Sequence, residues 1–394
     1  MSQMLYQAPP EISRYRTPAF VVGGLGLLAC LAGAFIKPAQ FFHSYLFGYM
    51  FWIGIALGCM GLTMVQYLSG GAWGLVIRRL LESGARTLPL MAVLFIPMLF
   101  GVRVLYRWAN RAEVERSEAL QHKHLYLNLP FFFVRVAIYF AVWCGISYLL
   151  NKWSRLQDET ADPRYDSRLQ AISGPGIVVY ALTLTFAVVD WIMSLEPEWF
   201  STIFGLLFVA GQALSAMAFT IAVTVILARR EPMSHIIQKA HLHDLGKLLF
   251  AFVMLWAYLS FSQFLIVWSA NLPEEIPWYL RRFHGGWGAV GMLIVVCHFA
   301  LPFLLLLSRD LKRNGGRIIY IAAFIVMMRA VDLFWIIAPG VRGDSFLLHW
   351  MDVAAIVGLG GIWLATYLTQ LGRRPLLPVN DPHLQEALQN GNHH

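Results

Sequence analysis

The sequence predicts an all-α, polytopic membrane protein with about ten transmembrane helices. Only 13% of its 394 residues are charged, about half the share found in soluble domains. Hydrophobic residues make up 58% of the chain, and the mean hydropathy is +0.60. These residues collect in runs of roughly 20, the length that crosses about 30 Å of hydrocarbon as a helix.

Ten apolar runs of this kind follow one another along the chain. The first is the shortest and follows a polar lead, residues 1–18, so we expect a retained helix rather than a cleaved signal peptide. Only residues 196–200 separate the fifth run from the sixth. The runs lie at 19–36, 45–68, 87–106, 130–150, 175–195, 201–228, 247–270, 284–307, 318–338 and 349–371.

The basic residues between these runs indicate how the chain is oriented. Arginine and lysine are denser in the loops on the side of both termini, for example at 78–86 and 309–317. The positive-inside rule therefore predicts that both termini are cytoplasmic. Two segments on this side, 72–83 and 233–244, mix large apolar residues with basic ones. Each of these segments is expected to form either an interfacial amphipathic helix or an ordinary solvated loop.

Matching signals in the two halves indicate an internal repeat. The tripeptide Asn-Leu-Pro occurs at 128–130 and again at 271–273. Two aspartates stand at matching distances from a proline, Asp190 before Pro197 and Asp332 before Pro339. The near-constant separation predicts two four-helix bundles, helices two to five and six to nine, related by an axis along the membrane normal. Helices one and ten are expected to be peripheral.

The predicted organisation follows from this duplication. It consists of an N-terminal segment with helix one (1–44), a first bundle (45–200), a second bundle (201–345), and helix ten with a cytoplasmic tail (346–394).

Four ionisable residues within the predicted spans are the first candidates for a functional site. Such a residue costs about 2.5–3.5 kcal/mol on insertion scales. Arg329 lies three residues before Asp332, so the two share a helix face and are expected to pair. Arg135 enters its span from the same membrane side as Asp190 and is a candidate partner for it. The groups either exchange protons beside a quinone-sized pocket or along a proton path, or form buried ion pairs that fix helix packing.

Histidines extend the candidate set. His298 lies in the middle of the eighth span, where a lone histidine is usually a satisfied core residue. His349 and Asp352 lie at the periplasmic start of the tenth span. A haem b held by two histidines needs two deep histidines that face each other, and only His298 is deep.

The seventh span carries a candidate route for proton uptake. His243, Asp244 and Lys247 precede its apolar part on the cytoplasmic side. Ser260 and Gln263 continue a polar line at helical spacing. The line predicts either inward proton conduction or hydrogen bonds between helices.

The cysteines argue against a redox centre in this chain. The sequence has four cysteines and contains neither a CxxC nor a CxxCH motif. This excludes covalent c-type haem and cysteine-ligated iron–sulfur clusters as sites of this subunit. We therefore expect no cofactor bound covalently or through metal ligands, and no metal site.

Three segments resemble a known family of membrane subunits. They are residues 44–79, residues 190–202 (DWIMSLEPEWFST) and residues 243–282, which include HDLGKLLFAF and FSQFLIVWSANLPEE. They look like the ActF-like subunits of alternative complex III, the bacterial quinol:cytochrome c oxidoreductase. That family also includes ActC-like subunits and is related to the NrfD and polysulfide reductase membrane proteins. The likeness covers helices two to nine, and Asp190 falls within the DW-x-MS motif.

The resemblance implies a subunit of an electron-transport complex in the bacterial inner membrane. Its expected partners are a multihaem cytochrome c, an iron–sulfur protein, an ActC-like subunit and smaller membrane or monohaem subunits. Quinol oxidation would belong to the whole complex, and this chain would supply a scaffold. The resemblance further implies that the chain binds menaquinone or another quinone, binds lipids and takes part in proton translocation. The alternatives are a stand-alone secondary transporter and the membrane anchor of another NrfD-type oxidoreductase.

The two aspartates lead to different expectations. Arg329 is fixed on the same helix as Asp332, so we expect Asp332→Asn to impair assembly. Asp190 depends on a partner from another helix, so we expect Asp190→Asn to lower quinol oxidation or proton movement in an assembled complex.

Overall fold

The computed structural model describes residues 6–9, 11–343, 346–384 and 388 of the chain. Within these ranges the chain forms helices, turns and loops and has no strand. In this described part of the chain, ten helices are long and apolar enough to cross a membrane. The predicted fold class, an all-α multi-pass membrane protein, is therefore confirmed.

We number the ten membrane helices α1 to α10. Several continue beyond the apolar runs of the sequence, because polar residues extend them at the membrane surfaces. Their bounds are Glu11–Ile36 (α1), Pro38–Ser69 (α2), Arg78–Phe100 (α3), Leu129–Thr160 (α4), Arg164–Leu195 (α5), Phe204–Leu227 (α6), Lys239–Ala270 (α7), Trp287–Leu307 (α8), Gly315–Arg342 (α9) and Trp350–Leu371 (α10).

The two Asn-Leu-Pro tripeptides lie in corresponding loops but act differently. Asn128 caps the start of α4, where its side chain accepts a hydrogen bond from the N–H of Phe131 at 3.0 Å, and Pro130 suits the first turn. Asn271 ends α7 in the left-handed conformation, with φ at 48°. The short helix Pro277–Phe283 then intervenes before α8.

Helices α2 and α6 form the centre of the molecule. Of the apolar part of α2, 89% is buried inside the protein, against 17% for α1. Helix α2 packs against α3 and α5, and α6 packs in the same way against α7 and α9. Between the two groups α2 also contacts α9, and α6 contacts α5. The contacts of α2, α3 and α5 thus match those of α6, α7 and α9, which supports a duplication. The domain limits at 45–200 and 201–345 stay a prediction.

Helix α1 is peripheral and lies along α10. The two backbones approach closely at glycines: a Cβ atom at Gly26 would lie 2.7 Å from the Cα of Gly358, and one at Gly361 would lie 2.4 Å from the Cα of Gly23. Small residues permit this approach in membrane helices. Helix α10 also contacts α2 and α3, so it is less peripheral than α1.

Neither predicted interfacial segment forms an amphipathic helix on the surface: the first has a one-turn helix, Ala72–Leu75, whose Leu75 is buried. Residues from Arg78 onward begin α3, and all of Arg78–Ala85 is buried because α2 and α10 pack around it. The second segment is a short turn, Met233–His235, followed by the start of α7, where His241 is buried. The expectation of a solvated loop at 72–83 is also wrong, because Arg78–Ala85 is buried. Ion pairs neutralise the two arginines of this segment.

Both ends of the described chain lie on one face of the helical array. The backbone N–H of Leu376, after α10, donates a hydrogen bond to the carbonyl of Tyr6, before α1, at 2.7 Å. We call this side the terminal face and the other side the opposite face. The cytoplasmic orientation of the terminal face stays a prediction.

Candidate functional site

Asp190 on α5 pairs with Arg135 on α4, as the sequence predicted. The Nε and Nη2 groups of Arg135 donate to the two carboxylate oxygens of Asp190 at 2.8 and 2.9 Å. The hydroxyl of Tyr139 donates to the same carboxylate at 2.7 Å. Arg135 also donates to the carbonyl of Tyr126 at 2.8 Å and lies over its ring. Asp190 is completely buried. Its negative charge is stabilised by the three hydrogen bonds that Arg135 and Tyr139 donate to it.

Aromatic rings fill the space beside Asp190. The ring of Trp191 lies 4.7 Å from that of Phe95, 6.0 Å from Phe140 and 6.1 Å from Tyr139, measured between centroids. All four side chains are buried. Asp190 does not line the large cavity described below, and the first bundle is densely packed around it.

Asp332 on α9 also has the predicted partner. Its carboxylate accepts a hydrogen bond from the Nη1 group of Arg329, one turn earlier on the same helix. The guanidinium of Arg329 lies against Gly211 of α6, where a Cβ atom would be 2.4 Å from its Cζ. Both members of the pair are buried. The pair therefore also joins α9 to α6.

A cavity of about 710 Å³ lies beside Asp332 in the second bundle. Its walls come mainly from α7, α8 and α9, and the short helix Pro277–Phe283 covers its end at the opposite face. Aromatic and aliphatic side chains dominate the lining, among them Trp256, Phe264, Tyr279 and Trp335. Volumes of roughly 300–1,000 Å³ with mostly apolar walls are typical of small-molecule sites.

The cavity opens sideways, toward the lipid-facing surface between α7 and α8. On α7, Tyr258 is 66% exposed and Phe261 61% exposed; on α8, Met292 is 64% exposed and Val295 57% exposed. All four residues line the cavity. A ligand can therefore reach it from the bilayer, without passing through water.

A few polar groups face this apolar space. Asp332, Ser260 and Gln263 line it, and the indole of Trp256 lies beside Asp332. Gln263 is buried, and within the described part of the chain its Oε1 atom has no hydrogen-bond partner. An unpaired buried acceptor calls for a ligand or water that donates to it. The polar line predicted along the seventh span thus includes cavity residues.

His298 lies behind the cavity wall. It belongs to a π-helical turn of α8, Ile294–Ala300, a feature often found at functional sites. Its ring packs edge-on against Trp256, with centroids 4.3 Å apart. Among the described residues neither ring nitrogen has a hydrogen-bond partner, although the side chain is completely buried. Neither nitrogen thus has, within the described residues, the protein partner expected of a satisfied core histidine.

The short helix over the cavity is held by an ion cluster that the sequence analysis missed. Arg282 donates to Glu196 at 2.8 Å and to the carbonyl of Ile336 at 2.6 Å. Arg281 donates to the other carboxylate oxygen of Glu196 at 2.8 Å. Burial lowers the pKa of Arg282 to about 10 despite the nearby Glu196. Glu196, in the link between the two bundles, thus fixes the cover of the cavity.

His349 and Asp352 lie apart from the cavity. Both belong to the cap of α10, in which Asp352 accepts from the backbone N–H of His349 at 2.8 Å. Asp352 also pairs with Arg342 and accepts from the hydroxyl of Ser44 at 2.7 Å. These contacts join α10 to α9 and α2, which gives the group a structural role.

The predicted proton-uptake group is not connected to the cavity by side chains. Asp244 and Lys247 form an ion pair at 2.6 Å on the terminal face, and His243 lies next to them. Between this group and Trp256, the facing residues Leu249 and Val253 are completely buried. The helical rise puts Asp244 roughly 18 Å from the level of Trp256. Buried apolar side chains of α7 therefore separate this group from the polar residues that line the cavity.

A second cluster missed from sequence lies at the terminal face of the first bundle. Arg79 pairs with Glu82 and with Asp158 of α4. Arg78 pairs with Asp381, which follows α10, at 2.6 Å. All five side chains are buried. Arginines in loops usually serve as topology signals. Glu82 lies three residues after Arg79, but Asp158 and Asp381 lie far along the chain, so no local pattern indicated their pairs.

No group of three or more histidine, cysteine or acidic residues in the described ranges is arranged to hold a metal ion. The expected lack of a redox centre stays a prediction. No protein-family model and no curated protein matches this chain. The likeness to alternative complex III therefore depends on the sequence motifs alone.

Proposed function

We propose that this chain is an integral membrane subunit of a quinol-oxidising electron-transfer complex, and that it binds the quinone in the cavity between α7 and α8. One observation carries the proposal: an apolar cavity opens to the lipid phase with a buried carboxylate, Asp332, in its wall. The motif resemblance to alternative complex III supplies the type of complex and the expected partners.

The cavity suits the chemistry of an isoprenoid quinone. Its aromatic walls offer faces for a planar ring, and its opening between Tyr258 and Met292 leaves an apolar tail in the bilayer. Gln263 offers an acceptor to a quinol hydroxyl. Oxidation of a quinol releases two protons, and Asp332 is the carboxylate placed to accept one.

The geometry favours Asp332 over Asp190 for this role. Asp190 is saturated by Arg135 and Tyr139 and is surrounded by rings. Asp332 has Arg329 as its hydrogen-bonding partner and borders open space. The ranking of the two aspartates is therefore the reverse of the one expected from sequence.

Filling the cavity tests the proposal. Ala257 lines the cavity, whereas Ala251 lies on the exposed side of the same helix. We expect Ala257→Phe to weaken menaquinone binding to the purified complex in nanodiscs at least about tenfold, a loss of about 1.4 kcal/mol. The matched variant Ala251→Phe should bind normally. Equal binding by both variants would overturn the quinone site.

Purification in mild detergent tests the type of complex separately. Co-purification with haem c-bearing partners supports the proposal. A chain that runs alone and moves a solute is instead a secondary transporter, and a molybdenum-bearing partner indicates another NrfD-type oxidoreductase.

A further inference from the structure

A lysine that forms no ion pair with the described residues lies at the terminal-face end of α8. Lys312 belongs to the short helix Arg309–Arg313 between α8 and α9. Its aliphatic stem packs on Gly246 of α7, where a Cβ atom would lie 2.8 Å from its Cγ. Its ammonium lies over the ring of Phe250, 5.8 Å from the centroid. The side chain therefore points along α7 toward the membrane interior rather than out into water.

The surroundings of Lys312 are positively charged. Lys247 lies close enough to lower its pKa, an effect second to that of burial. The carboxylate nearest in sequence on α7, Asp244, is already paired with Lys247 at 2.6 Å. Among the described residues, no carboxylate forms an ion pair with Lys312. Lys247 and Lys312 thus form a basic cluster, in which the Asp244 carboxylate pairs with Lys247.

The rim of this basic cluster is apolar and faces lipid. Phe250 stacks on Phe303 of α8, with centroids 5.5 Å apart. On α8, Leu304 and Leu307 are 62% and 56% exposed. An anion bound at Lys312 would therefore have hydrocarbon contacts on its membrane side and water on the other.

We propose that this basic cluster binds the phosphate of an anionic phospholipid, with the glycerol and acyl chains lying on the Phe250–Phe303 pair and the exposed leucines of α8. Basic pockets between membrane helices bind anionic headgroups in this way, and a lysine near the surface contributes about 1 kcal/mol. Free phosphate could meet the charges but would leave the apolar rim uncovered. The site lies on the terminal face, distinct from the cavity beside Asp332, and does not depend on the proposed function.

The test compares lipid binding by the purified protein and its variants. The protein, with its partners where they co-purify, is delipidated and titrated with phosphatidylglycerol or phosphatidylcholine in detergent, and bound lipid is counted by native mass spectrometry. We expect the wild type to prefer phosphatidylglycerol. Lys312→Gln and Lys247→Gln should each weaken that binding about fivefold, the equivalent of about 1 kcal/mol. Lys247 is exposed, so its variant keeps the test valid if Lys312→Gln folds poorly.

Controls distinguish this site from general charge effects. Arg317, an exposed basic residue at the start of α9, is the matched position, and Arg317→Gln should bind phosphatidylglycerol normally. An equal loss in Arg317→Gln, or no lipid preference in the wild type, would overturn the site. Displacement of the lipid by millimolar inorganic phosphate would identify a free-anion site and overturn the assignment to a phospholipid.

Discussion

The guanidinium of Arg135 donates two hydrogen bonds to the carboxylate of Asp190, which joins α4 to α5 at a completely buried point. The second bundle has its own arginine–aspartate pair, but there both residues lie on α9. The first pair therefore holds two helices together in the aromatic core of its bundle, and the second borders a cavity. The same pair of residue types has two different structural settings.

Asp190→Asn should destabilise the protein strongly. The substitution leaves the charge of Arg135 uncompensated inside the bundle, and loss of one partner of a buried pair costs about 3–5 kcal/mol. We expect a lower melting temperature in detergent and a lower yield of assembled complex. Tyr139→Phe is the mild control, since it removes one hydrogen bond worth about 1 kcal/mol. An Asp190→Asn complex that assembles and melts normally yet oxidises quinol slowly would restore the functional interpretation of this site.

Gly58 should be far less tolerant of substitution than Gly54, one turn away on α2. A Cβ atom at Gly58 would lie 2.2 Å from the carbonyl oxygen of Gln212 on α6, whereas at Gly54 the nearest atom, on a flexible side chain, would be 3.5 Å away. Gly58→Ala therefore forces α2 and α6 apart, with a cost of about 1–3 kcal/mol. Gly54→Ala should be near neutral in the same thermal melt. Similar melts for both variants would show that the central helices can separate freely.

Asp381→Ala should loosen the segment after α10. Asp381 is the partner of buried Arg78, so its removal leaves an unpaired charge under that segment and costs about 3–5 kcal/mol. We expect faster proteolysis after Arg374 and a lower melting temperature. Glu159→Ala, near the end of α4, removes an exposed ion pair with Arg155 at 3.6 Å, so this control should behave as wild type. Unchanged proteolysis of Asp381→Ala would mean that the segment is held by its buried leucines instead.

Hydropathy, helical periodicity and repeat spacing were sufficient to predict the fold. All ten spans could be found because each must satisfy its backbone internally and present apolar side chains to lipid. The Arg329–Asp332 pair could be predicted because both residues lie on one helix three positions apart. Arg135 and Asp190 could be suggested only from matching depth, since their contact depends on how two helices pack.

The cavity could not be predicted, because it depends on which side chains leave space unfilled. The two bundles share helix order and aspartate placement, yet rings fill the space beside Asp190 and leave it open beside Asp332. Glu196 was missed for a similar reason. It lies in the short link between α5 and α6, where the sequence shows no functional motif. Its partners Arg281 and Arg282 lie far along the chain, on the short helix Pro277–Phe283.

The carboxylate of Glu196 should hold the cover of the cavity in place. Glu196 accepts hydrogen bonds from both Arg281 and Arg282, and Arg282 is completely buried. Glu196→Gln removes the compensating charge, so the short helix Pro277–Phe283 should detach more often from α9. We expect faster hydrogen exchange at 277–283 and weaker quinone binding, because Trp278, Tyr279 and Phe283 line the cavity.

Glu198 is the matched control for this experiment, two residues further along the same link. It pairs with Arg107 at 3.3 Å, and both side chains are about half exposed. Exposed pairs of this kind contribute about 0–1 kcal/mol, so Glu198→Gln should leave hydrogen exchange at 277–283 unchanged. If Glu196→Gln also leaves it unchanged, the hydrogen bonds of Arg282 to the carbonyls of Trp278, Trp335 and Ile336 hold the cover without Glu196. If exchange rises while quinone binding stays normal, the cover moves independently of the ligand, and the quinone would have to bind through the lipid-facing opening alone.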